Sequence, residues 1–119
     1  DTQRLLASGA QRVYWLRVLK QHLETGAQAL LDALGPDTLV ICESNSLRHT
    51  VKPGIFIMLN PSESKTFKAS AQGVRHYADA LVDTDGARFE FDFDRITLKN
   101  RQWVLDPARN IINPKVDTQ

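Results

Sequence analysis

Two short apolar runs without polar alternation, residues 38–42 (Thr-Leu-Val-Ile-Cys) and 55–59 (Ile-Phe-Ile-Met-Leu), set the pattern of this chain. Runs of this length and type predict strands covered on both faces. Each stops abruptly in polar residues, Glu43-Ser44-Asn45-Ser46 after the first and Asn60-Pro61-Ser62-Glu63-Ser64-Lys65 after the second. An earlier β-rich run, residues 13–19, predicts a third strand, central in the sheet. Its one charge, Arg17, sits near the carboxyl end, where it either contacts an anion or snorkels to the surface.

Helical spacing fills the intervals. Asp1 and Thr2 offer an N-cap to a short helix with Leu5, Leu6 and Ala10 facing inward and Gly9 as its stop. Leu23, Ala27, Leu30, Leu31 and Leu34 form one apolar stripe over residues 21–34, closed by Gly35-Pro36. Strand, helix, strand then predicts parallel neighbours with a right-handed crossover. Residues 47–51 suit one helical turn, and Lys52-Pro53-Gly54 forces the chain round. A second stripe, Ala71, Val74, Tyr77, Ala78 and Leu81, predicts a helix over 69–81, with a short strand at Leu81-Val82 and a turn at Asp85-Gly86.

The last third changes period. Phe89, Phe91 and Phe93 alternate with Glu90, Asp92 and Asp94, which reads as an extended segment with a solubilised acidic edge rather than a metal-binding row. Residues 95–105 predict a hairpin with Asn100-Arg101 at its tip, a register that pairs Leu98 with Trp103 and Ile96 with Leu105. The expected fold class is α/β: a three-layer, mostly parallel sheet flanked by helices, with a C-terminal antiparallel hairpin. It forms a single domain over 1–119, with a core at 1–85, a hairpin region at 86–106 and a surface tail at 107–119.

Composition narrows the partners. With 119 residues, 42% hydrophobic, 24% charged and a net charge of +1, the chain has the balance of an ordinary folded domain. Its basic residues are scattered, which argues against nucleic acid, and no apolar run is long enough to span a bilayer, which argues against a membrane. The single Cys42 excludes an internal disulfide and fits a cytoplasmic setting. The sequence opens at Asp1 within a predicted helix, so it reads as a piece of a larger domain or a chain whose start was removed.

Candidate chemistry concentrates at strand ends, where open α/β sheets bind ligands. Glu43, Ser44 and Asn45 combine a carboxylate, a hydroxyl and an amide after the strand at 38–42. Capping of a following helix by Ser44 and Asn45, with Glu43 solvated, is the simpler alternative. Lys65 and Lys68 suit a phosphate or a solvated loop equally well. Ser70 either donates to an anion at a helix start or caps that helix. His22, His49 and His76 lack metal-ligand spacing, and no Gly-x-Ser-x-Gly, Gly-x-Gly-x-x-Gly or Gly-x-x-x-x-Gly-Lys-Ser/Thr motif occurs.

Four segments together resemble the later part of a P-loop NTPase of the molybdopterin-guanine dinucleotide biosynthesis protein B family. They are Asp1-Thr2 with Ser8-Gly9-Ala10; Leu39-Val-Ile-Cys-Glu43; Pro53-Gly-Ile-Phe-Ile-Met58; and Lys68-Ala-Ser-Ala71 with Tyr77-Ala-Asp79. The family's phosphate loop has no counterpart here, and Ser44 stands where the family usually has Gly. The resemblance implies a nucleotide-dependent accessory protein in molybdenum cofactor biosynthesis that uses GTP or ATP with Mg²⁺. It implies that Glu43 is catalytic and, with Asp1, on the metal side, and that Ser44, Asn45, Lys65, Lys68 and Ser70 lie near nucleotide or substrate. A chain without the phosphate loop is expected to be inactive alone, and to form a homodimer that covers an open sheet edge. The alternative is a non-catalytic binding or scaffold domain on the same fold.

Overall fold

A pair of parallel strands carries the centre of the molecule in the computed structural model, which describes residues 2–61 and 68–108. β1 (Ile57–Pro61) and β2 (Ala80–Thr84) run in register from Ile57 opposite Ala80 to Pro61 opposite Thr84. Between them in sequence come α3 (Ala69–Gln72) and a 3-10 turn, Arg75–Tyr77. Met58 from β1 meets Ala71 and Val74 from this crossover, with Phe56 and Ala78 packed against them, and these residues form the core cluster. Val82 and Thr84 are buried on β2. The predicted strand at 55–59 thus forms, displaced toward its polar end.

The crossover is shorter than the stripe from Ala71 to Leu81 suggests. Gly73 caps α3 after four residues, and the chain re-enters the sheet at Ala80. Ala71 and Val74 bury as expected, whereas Tyr77 and Leu81 stay exposed because the helix that would aim them inward has ended. A strand takes residues 80–84, longer than the pair expected.

β3 (Phe89–Glu90) adds antiparallel to β2 across the Asp85-Gly86 turn. The extended segment expected through Asp94 stops at Glu90. Asp92 accepts the Asp94 backbone N–H at 3.0 Å and starts a 3-10 turn, Phe93–Arg95. That bend turns Phe91 and Phe93 edge-to-face with ring centroids 5.2 Å apart. The acidic side chains of Glu90, Asp92 and Asp94 therefore line no common strand.

The hairpin matches its expected register. β4 (Ile96–Lys99) and β5 (Gln102–Leu105) pair Leu98 with Trp103 and Ile96 with Leu105. Asn100 and Arg101 at the tip take φ of 52° and 62°, the left-handed pair that a two-residue I′ turn needs to follow strand twist. Arg95 and Asp106 continue the ladder: Asp106 N–H donates to the Arg95 carbonyl and Arg95 Nε donates to the Asp106 carbonyl, both at 2.8 Å.

The N-terminal half departs further from expectation. α1 (Thr2–Ala7) closes at Gly9, φ +112°, in a Schellman arrangement, with Ala10 N–H on the Leu5 carbonyl and Gly9 N–H on that of Leu6. None of its residues is buried, so Leu5 and Leu6 do not find the core expected of them. A 3-10 turn, Lys20–His22, leads into α2 (Leu23–Leu34), which ends at Gly35 with φ +85°. Of its stripe only Ala27 is buried.

Residues 13–19 and 38–42, expected as strands, are coil. A strand exists only through the partner that takes its N–H and C=O groups; no backbone hydrogen bond joins residues 13–18 or 38–42 to another described residue, and the Leu19 carbonyl is taken by His22 of the following turn. The described residues thus contain helices, a mixed three-stranded sheet and a separate antiparallel hairpin. No helix among them is long and apolar enough to cross a membrane.

Candidate functional site

The polar cluster after residue 42 is organised by a 3-10 turn, Ser46–His49. Ser44 Oγ accepts the Leu47 backbone N–H at 3.1 Å, which is the capping role open to it from the sequence. Asn45 reaches elsewhere: its Nδ2 donates to Ser70 Oγ at 3.4 Å, a long contact that joins the cluster to α3. Glu43 is exposed beside them.

Two further contacts hold the Ser46–His49 turn on the crossover. The Arg48 guanidinium stacks 4.1 Å above the Tyr77 ring. The His49 imidazole lies over Gly73, close enough that a Cβ there would stand 3.9 Å from its Cε1 and Nε2. Cation–π attraction and ring packing of this kind supply the attachment that a single long hydrogen bond lacks. Arg48, His49 and Tyr77 were not legible as a group, because nothing in their spacing links residue 48 to residue 77.

Of the predicted site residues, the fold brings Glu43, Ser44, Asn45 and Ser70 to one region. Lys68 immediately precedes α3, two residues before Ser70, and is exposed. Asp1 and Lys65 lie outside the described residues. Arg17, the candidate anion contact, instead stacks 5.2 Å from the Trp15 ring.

A second polar pair sits at the carboxyl ends of the parallel strands. Asn60 Nδ2 donates to Asp83 Oδ1 at 2.6 Å, between residues directly opposite in the β1–β2 register. Strand ends of this kind are where open α/β sheets bind ligands. Asp83 escaped notice in the sequence because its importance comes from its cross-strand partner, and register between distant segments is not written locally.

The electrostatics are mild. The Cys42 thiol pKa is raised, first by burial around the sulfur and then by the Glu43 carboxylate next to it, so the thiol stays protonated at neutral pH although the residue as a whole is exposed. Among the described residues, no three His, Cys, Asp or Glu side chains gather in a metal-binding group. Two surface depressions, of about 450 Å³ and 420 Å³, lie along α2, and neither is lined by the cluster.

The arrangement therefore offers one carboxylate, two hydroxyls, one amide and one ammonium on a surface held between a 3-10 turn and the start of α3. Such a set can hydrogen-bond an anion or share a hydrated cation with it. It contains no positioned nucleophile and base. No known protein family matches the chain, and neither a curated protein nor a solved structure is significantly similar to it.

Proposed function

We propose that the chain is a P-loop-NTPase-like part of a nucleotide-dependent accessory protein, of the kind that serves molybdenum cofactor biosynthesis. The observation that carries the reading is the Asn45–Ser70 contact, which joins residues 25 apart that the resemblance assigns to one ligand site. In this reading Ser44, Asn45, Ser70 and Lys68 face the nucleotide or its substrate, together with Lys65. Glu43 orients a water or the Mg²⁺ shell, with Asp1 as a second acidic group. One or two carboxylates suit Mg²⁺, whose remaining positions go to water and phosphate oxygens. The finer architecture, a three-layer, mostly parallel sheet flanked by helices, belongs to the same reading.

Scattered side chains do not replace a backbone phosphate cradle. The 119-residue chain is accordingly expected to leave GTP and ATP unhydrolysed in the presence of Mg²⁺. The test is the reading frame upstream of Asp1 and the protein it encodes. A longer product with a Gly-x-x-x-x-Gly-Lys-Ser/Thr loop should hydrolyse GTP or ATP, and Glu43→Gln should slow it at least tenfold. A longer form without such a loop retires the nucleotide reading; an unchanged rate in the variant removes Glu43 from the mechanism.

A second reading, a non-catalytic binding or scaffold domain, is favoured by a different observation. Trp15, Leu19 and Ile41 expose apolar surface of the kind that contacts proteins rather than nucleotides.

A further inference from the structure

Residues 13–19 and 38–42 leave a surface in water that folded chains ordinarily cover. Ile41 is 82% exposed, Trp15 76% and Leu19 64%, and Tyr14, Leu16, Leu39 and Val40 are exposed with them. Single exposed apolar residues need no explanation, but seven large ones in two short runs do.

Both runs lean on α2. Val18 packs against Gly26, where an added Cβ would meet its methyl carbons at 3.1 to 3.2 Å. Val40 and Thr38 line the 420 Å³ depression with Leu31, Leu34, Gly35 and Pro36.

The backbones are open as well. No backbone hydrogen bond joins residues 13–18 or 38–43 to another described residue. β1 pairs with β2 along one edge, and no described strand occupies the other. That edge also lacks the usual defences of edge strands: Ile57–Pro61 contains no charge, and its one proline stands at the end.

We propose that a second copy of this chain covers this surface by reciprocal strand addition. Residues 38–42 of one protomer pair with the open edge of β1 of its partner, and the partner's residues 38–42 return the contact. One chain holds both the apolar strand-forming run and the edge that accepts it, so a two-fold axis satisfies both at once. The two segments match in length, at five residues each, and neither carries a charge that would repel the other. The proposal does not depend on the nucleotide reading.

Light scattering with size-exclusion chromatography of the 119-residue chain, over a wide range of concentration, tests it. The expected result is a discrete dimer. Leu39→Lys/Ile41→Lys, on the donor side, and Leu59→Lys, on the acceptor side, should each weaken it roughly 100-fold or more. These three residues are exposed, so the variants should keep the helical circular-dichroism signal of wild type and lose only the strand contribution of the added pairing. Hydrogen exchange should slow at the amides of residues 38–42 and of β1 in the dimer, and this protection should vanish in the variants. A monomer at every concentration, open-ended aggregation, or a dimer whose 38–42 amides exchange freely each overturns the proposal.

Discussion

Asp79 and Phe56 grip each other twice. Asp79 Oδ2 accepts the Phe56 backbone N–H at 2.6 Å, and the Asp79 backbone N–H donates to the Phe56 carbonyl at 2.7 Å. The ladder begins at the next pair, Ile57 opposite Ala80, so this clamp fixes where the parallel strands start. Asp79→Ala should therefore destabilise the protein by about 1.5–3 kcal/mol, the range for hydrogen bonds to charged groups. Asp79→Asn, which keeps an acceptor oxygen, should lose less. Urea unfolding followed by circular dichroism measures both, and an Asp79→Ala midpoint equal to wild type would remove the clamp from the fold's stability.

Gly54 marks where the hairpin meets the rest of the chain. A Cβ added there would stand 2.7 Å from the Trp103 carbonyl oxygen, a backbone atom that cannot swing aside. Gly54→Ala should cost about 1–3 kcal/mol, as overpacking does. In a Trp15→Phe background, which leaves Trp103 as the reporter, its fluorescence should change with the hairpin displaced. An unperturbed spectrum and midpoint would contradict this contact.

The hairpin tip is strained for its sequence. Arg101 adopts φ of 62° with a full side chain, where glycine is at ease. Its ion pair with Asp37, at 3.5 Å between two exposed side chains, contributes little in return. Arg101→Gly should raise stability by roughly 0.5–1 kcal/mol, read as a higher thermal midpoint. A lower midpoint would mean that the Asp37 contact outweighs the backbone strain.

The turn between β2 and β3 carries a pH dependence. Asp85 Oδ1 accepts the Ala87 and Arg88 backbone N–H groups, both at 2.8 Å, and these bonds hold its carboxyl below the ordinary value. A folded-state pKa lower than the unfolded one makes Asp85 stabilising at neutral pH. That contribution declines as pH falls below the ordinary value of 3.8 and is gone below the lowered one. Thermal midpoints of wild type and Asp85→Asn, measured from neutral pH to below 3, should differ at the upper end and converge at the lower. Parallel curves would exclude this role.

The candidate site was legible only in pieces. Glu43, Ser44 and Asn45 stand out because a polar group follows an apolar run, and Ser70 because it opens a helix. That Asn45 would contact Ser70, Arg48 stack on Tyr77, and Asn60 pair with Asp83 depends on how distant segments pack, and no local pattern carries that.

What the sequence by itself determined is local. The hairpin register followed from one two-residue tip and a period of two, and the ends of α1 and α2 from Gly9 and Gly35, which take the positive φ that glycine tolerates. Tertiary structure decided which apolar runs became strands. Residues 55–59 and 13–19 look equally strand-forming, yet only the first entered a sheet, since a strand's stability resides in the backbone of another segment. Periodicity reports which side chains seek cover; it does not say whether a partner is present to provide it.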